Sequence, residues 1–536
     1  MQYASTNFKQ KLGLKSRQGS FELTIEDIPY IFKLGIGFSV IVNTAHIVKF
    51  GEGFKFGDWN SYEGRELRFG DLVSENYIIG KISNIYDISD IMWEVTNEMR
   101  CPANIPVLEL EIILDEYFPS FPSQDNMIGK YAELKYGIGH LMGDDIIIFA
   151  GYILEWKLSD NGKKINFSIE HPLSHIRDNI FGKPSSILTS NITAASTSLT
   201  IEDASDFPSS GYVKIDNELI KYTGKSSNQL TGLTRGAYDT TATTHSGKSS
   251  NTSGAKVIFV KVYNAGETLI NVLLHILCST GKGTNGSYDI LPEGCGLAIS
   301  QDFIDFDSFT NYSHPALNYY NNRYGTSISV NELFQLCFWE EKNASEIINS
   351  ILYILSGFLI LDNDCKIKLI SDDYQTSGNN FYLSQCNKEY KYNEWEAINK
   401  IEMLWQIYTQ GDWKMLSSRW IDYGDKTSSR SITIYIPIIK KFTQPTGKPG
   451  DPDSDPESKI DVNYWYIRYA NWWNYNEYKN KKKILSTFHT WRQILFECGD
   501  WTTITDMDNV KRKIIGRKVN LKNMSIELKH KERSFH

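Results

Sequence analysis

The chain of 536 residues contains no long apolar run. A helix that crosses a bilayer needs about 18 or more predominantly apolar residues. The most apolar stretch, Ile347 to Leu361, is shorter and carries Ser356-Gly357, so no membrane span is expected. The opening MQYASTNFKQKLGLKSRQGS has no apolar core of the kind a secretory leader requires. Cysteine is sparse: Cys101, Cys278, Cys295, Cys337, Cys365, Cys386 and Cys498 lie far apart, with no C-x-x-C pair and no Cys/His cluster at zinc spacing. An odd, scattered set reads as free thiols made in a reducing cytoplasm. Positive charge is in deficit, with 56 Lys and Arg against 64 Asp and Glu and a net charge of −8. That balance excludes a broad basic footprint for tight nucleic-acid binding and is compatible with DNA passing by.

Catalytic signatures are also missing. There is no H-E-x-x-H, no G-x-S-x-G and no cysteine–histidine protease pattern. The glycine-rich Gly281–Gly286 run lacks the phosphate-loop spacing. Asp451, Asp453, Asp455 and Glu457 alternate as calcium ligands do, but prolines interrupt them and no glycine holds the sixth loop position. His171 and His175 stand four apart on an expected short helix without a third ligand. Asp115-Glu116 and Asp144-Asp145 end apolar strands, where a glycoside hydrolase could place paired carboxylates; polar turns are the plainer reading. The chain is therefore read as non-enzymatic, with no cofactor and no metal.

What the chain has is aromatic mass and short alternating runs. Aromatic residues make up 13% of it, including 31 Tyr and 13 Trp. Such a content favours strands and suits broad protein–protein surfaces, although an AT-rich genome enriches the same residues. The length points to several domains, about three to five. From Leu188 to Gly247 alternating runs (Ser198–Ile201, Tyr212–Ile215, Glu218–Tyr222) are separated by turn-formers, Phe207-Pro208-Ser209-Ser210-Gly211 and Asp216-Asn217. This is the pattern of small antiparallel hairpins. Upstream, Val107–Leu114, Ile146–Trp156 and Lys164–Glu170 read as strands, the last two joined through Ser159-Asp160-Asn161-Gly162. Gly266–Ser279 and the zone Ser329–Leu361 read as helical, the latter with Leu333, Leu336 and Cys337 facing one way. Within that zone Ala344–Leu355 is a helix capped by Asn343 or Ser345 and stopped by Gly357. Phe358–Asp362 and Lys366–Ile370 then form a hairpin around Asn363-Asp364-Cys365. Further strands are expected at Ala397–Trp405 and Thr433–Ile439, with Gly499-Asp500 a tight turn before a closing hairpin.

Trp465, Tyr469, Trp472 and Trp473 are the core of an aromatic cluster, with Tyr469, Trp472, Trp473 and Asn476 on one helical face. They are candidates for a subunit interface or core; glycan contact and base stacking are the alternatives. Arg235 is expected to pair with an acid, Asp203 or Glu218, and Gly236 to adopt a positive φ, both as scaffold.

The 188–247 phrase resembles a small β module that recurs in tail proteins of tailed bacteriophages, of the form DASGFP.SGYV.IDNE.I.YTG…LTG.TRG..GT.A..H..G. The positions that carry the likeness are Asp203, Phe207, Pro208, Gly211, Asp216, Glu218, Tyr222, Gly224, Arg235 and Gly236. The strands around Phe149–Lys157 and Ile165–Leu173, the hairpin at Phe358–Ile370 and the closing phrase after Leu495 resemble the tail hub (baseplate hub) family at the level of pattern. His171-Pro172 stands where that family often has an acid before proline, and Cys365 where it has a turn glycine. The resemblance implies a mainly β, α+β chain: an arm at 1–20, a first β-barrel hub domain at 21–182, an inserted small β module at 183–260, an α+β hub domain at 261–395, and a second β-barrel at 396–536 with a loop near 444–458. It also implies a homo-oligomer at the tail tip of a virion, a trimer, with a hexameric distal ring as the alternative. Such a subunit is made in the bacterial host cytoplasm, contacts distal tail or tube proteins and fibre or spike proteins, and meets genomic DNA in transit only. Gene transfer agents and tail-derived particles use the same parts. A glycan-binding receptor protein is the reading from another class.

Overall fold

The computed structural model describes residues 19–26, 30–35, 78–82, 91–94, 100–102, 106–113, 127–138, 146–159, 164–263, 268–279, 296–324, 336–371, 379–381, 386–395, 400–409, 412–421, 431–438, 470–476, 482–490, 494–504, 510–521 and 525–532. Strands dominate and helices are few, so the chain is a β-rich α+β protein.

Three large sheets organise it. The first has seven strands in the order Ile78–Ile82, Tyr30–Gly35, Gly19–Ile25, Tyr131–Ile138, Ile146–Ser159, Lys164–Glu170, Val107–Ile113. Its two end strands also approach each other, so the sheet curls towards closure. Strand Lys164–Glu170 alternates between buried Ile165, Phe167 and Ile169 and half-buried polar residues, the pattern of a sheet with one face on the core. Another seven-stranded sheet is built mainly from the C-terminal part, with Lys511–Asn520 and Ser525–Glu532 as its closing hairpin. Ile91–Glu94, from the N-terminal part, pairs with Lys511–Asn520 and ties the two ends of the chain together.

The middle sheet has eight strands, and Lys256–Tyr263 is its shared member. Residues 257–260 of that strand pair with Gly211–Ile215, whereas Lys261–Tyr263 pair with Leu336–Phe338. The 188–247 hairpins are thus continuous, through one strand, with the sheet that follows. Leu336–Phe338 lies in the zone read as helical. It is a strand because Cys337 and its neighbours are held between Val262 on one side and Ile438 beyond, and ladder bonds replace a helical turn there.

At the centre lies helix Ala344–Leu355 followed by the hairpin Gly357–Leu361 and Ile367–Ser371. Asn343 is its N-cap, its side-chain oxygen accepting from Ser345 N at 3.0 Å. The helix spans the expected residues, but its left-handed stop is not the glycine. Ser356, not Gly357, takes the left-handed conformation (φ 53°), while Gly357 enters the strand. Gly357 is needed for room: a Cβ there would lie 2.7 Å from Tyr312 Oη.

This helix–hairpin unit collects contacts from the whole chain. The hairpin tip carries Asn363, whose Nδ2 donates to Leu495 O at 3.0 Å and Glu497 Oε1 at 3.1 Å, and whose Oδ1 accepts from the buried Arg517. Cys365 follows in the left-handed region (φ 56°), its thiol against Ile148 O of the first sheet and its carbonyl accepting from His171 Nε2 at 2.8 Å. Buried Arg100 donates to Gly357 O and Asn474 Oδ1, and its guanidinium lies over the rings of Tyr353 and Phe358. Apolar side chains from Phe21 to Leu528 form one contiguous core around these ties.

Ser356 combines two costs. A non-glycine residue in the left-handed region costs roughly 1–2 kcal/mol, and its fully buried hydroxyl has no hydrogen-bond partner among the described residues. Ser356→Gly removes both at the expense of about 0.5–1 kcal/mol of unfolded-chain entropy. The variant is expected to be more stable by about 1 kcal/mol in urea or guanidinium unfolding; a destabilised variant contradicts this account.

Candidate functional site

The residues singled out between 203 and 236 separate into two groups in space. The first surrounds the loop 203–211. Asp203 Oδ1 accepts from Ser205 N at 2.8 Å, and this local bond holds its exposed carboxyl below the usual range. Phe207 is buried. Pro208 O accepts from Tyr222 Oη at 3.1 Å, and Gly211 stands opposite Tyr222 in the ladder. Lys225 closes the loop, its ammonium donating to the carbonyls of Ala204, Ser205 and Phe207 at 3.0, 2.9 and 2.6 Å. Gly224 permits close approach, since a Cβ there would lie 2.6 Å from Thr231 Oγ1.

The second group is a buried chain of charges. The two-residue turn Asp216-Asn217 joins Gly211–Ile215 to Glu218–Tyr222, with Asp216 at φ 50° as a tight hairpin turn of this type requires. The turn delivers Glu218, only 1% exposed, into the module. Arg235 forks onto it, Nε to Oε1 at 2.7 Å and Nη2 to Oε2 at 2.6 Å. The backbone N–H groups of Gly236 and Thr243 donate to the same carboxylate at 3.0 and 3.1 Å. Of the two acids considered for Arg235, Glu218 is the one it meets. Arg235 also donates to the carbonyls of Thr193 and Thr243, tying the start and end of the module. Gly236 has φ 64°, and a Cβ on it would crowd Thr240 O at 2.7 Å. Three residues on, Asp239 occupies a position where the bacteriophage phrase carries glycine, and it too is left-handed (φ 62°).

His245 completes the chain and was not singled out from sequence. Its Nε2 lies 2.8 Å from Glu218 Oε2 and its Nδ1 2.8 Å from Asp216 Oδ2. Both partners are carboxylates, which only accept, so both ring nitrogens must donate and the imidazole is the cation. Burial lowers its proton affinity, but the bonds to Glu218 and Asp216 outweigh that and raise it above the usual 6.5. For Glu218, burial alone raises the carboxyl, and the bonds from His245, Arg235, Thr243 and Gly236 outweigh it, holding it at about 2. The signal for His245 in the sequence is its place in the 188–247 phrase, as the histidine of H..G.

Chemically this arrangement is a staple. The Thr243 hydroxyl lies 3.4 Å from His245 Nε2, but that nitrogen is engaged by Glu218 at 2.8 Å, and among the described residues no group of three or more His, Cys, Asp or Glu is placed to hold a metal. His171 and His175 diverge: His171 is buried on Cys365 O, and His175 is exposed on Asp178 at 2.9 Å. In the aromatic cluster, Trp473 is 7% exposed and Trp472 half-buried on the helical residues 470–476, beside buried Asn474. Trp465 and Tyr469 lie outside the described residues, as do Asp115, Asp144, Asp145, the 281–286 run, the acidic loop 451–457 and the arm before residue 19.

No protein-family model matches the chain, and no curated protein does. Solved structures resemble it weakly. A 43 kDa tail protein of prophage MuSo2 from Shewanella oneidensis aligns over 84% of this chain and 96% of its own, at 11% identity and a TM-score of 0.37. Prophage tail protein gp18 from Listeria monocytogenes EGD-e aligns over 84% and 91%, at 9% identity and 0.33. A tail protein from Neisseria meningitidis MC58 aligns over 83% and 90%, at 9% identity and 0.32.

Two outcomes are expected. Glu218→Gln leaves Arg235 and His245 buried without their anion and destabilises the folded chain by about 3–5 kcal/mol, read by denaturant unfolding. The module also has a pH window. Raised His245 stabilises fully below about pH 6.5 and loses that contribution as pH rises through its folded value. Depressed Glu218 stabilises fully above about pH 4.5 and loses it as pH falls towards 2. Amide-exchange protection of residues 211–247 is therefore greatest between about pH 4.5 and 6.5, after correction for intrinsic exchange; a maximum at alkaline pH contradicts the assignment.

Proposed function

We propose that this chain is a structural, non-enzymatic subunit of a bacteriophage or phage-like tail, acting as its hub at the tail tip. The observation that carries the reading is the 188–247 phrase. The residues that resemble the bacteriophage module are those whose side chains and backbone hold it together, from Asp216 and Glu218 to Arg235 and Gly236. A likeness confined to structural positions suits a part used for building, not for catalysis. Two seven-stranded sheets flanking a central unit support a subunit with two barrel-like bodies. On this reading the bodies are 21–182 and 396–536, the α+β part 261–395 joins them, and 183–260 is an inserted module on the outside. Three subunits then offer six similar faces to a hexameric tube, with distal tail or tube proteins on one side and fibre or spike proteins on the other. The net charge of −8 suits a conduit that DNA crosses without sticking.

The test is the copy number and position of this chain in the intact particle, read by cryo-electron microscopy of the tail tip. Three copies closing the tube are expected. Six copies around the tube overturn the hub position in favour of a distal ring, and copies off the axis overturn it in favour of receptor recognition.

A further inference from the structure

Two buried histidines fasten the central helix–hairpin unit, and both do it with the same tautomer. His171 Nδ1 accepts from Leu173 N at 3.1 Å while its Nε2 faces Cys365 O at 2.8 Å. His314 Nδ1 accepts from Leu317 N at 3.2 Å while its Nε2 faces Ile354 O at 2.8 Å. Each ring therefore has one nitrogen facing a donor and one facing an acceptor, which only neutral imidazole with its proton on Nε2 satisfies. A second proton would set an N–H against a backbone N–H in a site with no room for solvent: His171 is fully buried and His314 1% exposed. His245 is built the opposite way, between two carboxylates, and needs its second proton.

We propose that the chain carries an acid-opened state in which the helix–hairpin unit 344–371 is released from the first sheet and from the 314–324 segment, while the module 211–247 stays closed. The two fastenings join the unit to different neighbours, beside Cys365 Sγ on Ile148 O and Tyr312 Oη on Leu355 O, and protonation of both rings weakens both attachments at once. The charged surroundings offer no compensating anion. Facing His171 are the Cys365 thiol, raised to about 12 by burial, and the phenols of Tyr131 and Tyr152, also raised by burial and packed on Phe303, which meets the His171 ring edge-on. Asp302 beside Phe303 is exposed, Glu170 is half-buried one residue before the ring, and Asp364 is half-buried at the hairpin tip. Asp362, pushed up to about 7 by burial, is neutral before either histidine titrates. On the His314 side, half-buried Asp305 and exposed Asp307 line a pocket with Tyr312 and Ser313, and Arg100, over the ring of Tyr353, adds a cation.

Burial holds both rings down to about 4, so they stabilise fully above about pH 6.5 and lose that contribution as pH falls through about 4. His489 and His530, buried on Thr487 and Thr502 in the C-terminal sheet, are depressed as well, with Arg512 adding repulsion at His530. They load that sheet in the same direction, which is why the test reads segments separately.

The experiment is hydrogen–deuterium exchange with peptide-level mass spectrometry on the full chain between pH 7.5 and 3.5, corrected for intrinsic exchange. Peptides covering 344–371 are expected to lose protection as pH falls through about 4 while those covering 211–247 decline only gradually, because Glu218 titrates towards 2. The double variant His171→Gln with His314→Gln is neutral at every pH, and its loss of protection at 344–371 is expected to move to lower pH. Imidazole C2 exchange on the unaltered protein needs no variant, and it is expected to show His171 and His314 titrating together with that loss. Simultaneous loss across both segments, an unshifted transition in a folded double variant, or titration of the two rings near 6.5 with 344–371 still protected would overturn the proposal. Each of these readings is independent of whether the chain is a tail subunit.

Discussion

The turn Asp362-Asn363-Asp364-Cys365 is the constraint on which the rest of the molecule depends. Its backbone must reverse within four residues, and it does so with Asp362 Oδ1 accepting from Asp364 N and Lys366 N at 2.9 and 2.8 Å and with Cys365 left-handed. Cys365 N donates to Asp362 O at 3.2 Å within the turn, which leaves the Cys365 carbonyl and the Asn363 amide facing outward towards two different sheets. The first sheet satisfies Cys365 through His171 and Ile148; the C-terminal sheet satisfies Asn363 through Leu495, Glu497 and Arg517. Because these groups are buried, leaving any of them without a partner costs about 1–3 kcal/mol, so the two sheets are positioned by polar satisfaction as much as by apolar area.

The same logic recurs with charge in the 211–247 module. Its hairpin Gly211–Tyr222 is the edge of the eight-stranded sheet, with Val213, Ile215, Ile220 and Tyr222 buried, so a charged group among them must be fully satisfied. Glu218 meets this by gathering donors from Arg235, Gly236, Thr243 and His245 at one point. A buried ion pair is weak evidence of net stability but strongly specifies one arrangement when every lone pair is used. That is the condition met here, with donors from Arg235, Gly236, Thr243 and His245 converging on the Glu218 carboxylate.

The histidines divide along the same line. Those whose partners are backbone amide and carbonyl are fixed as neutral; the one whose partners are carboxylates is fixed as a cation. Each neutral ring accepts from an amide two or three residues on, in the phrases His171-Pro172-Leu173 and His314-Pro315-Ala316-Leu317, and meets a distant carbonyl with its other nitrogen; His245 has both its partners, Asp216 and Glu218, far along the chain.

The sequence by itself determined the local grammar: the β-rich class, the Asp216-Asn217 turn, a helix cap at Asn343 or Ser345 and the hairpin of Phe358–Asp362 with Lys366–Ile370, each set by residues within a few positions of one another. It also narrowed the partner of Arg235 to two acids. The choice of Glu218 over Asp203, the recruitment of His245, the left-handed Ser356 in place of Gly357, and the strand at Leu336–Phe338 were decided only in three dimensions. The physical reason is common to all four. Each depends on a donor, an acceptor or a free ladder edge supplied from elsewhere in the chain, and the pattern of a local window carries no record of what will arrive beside it.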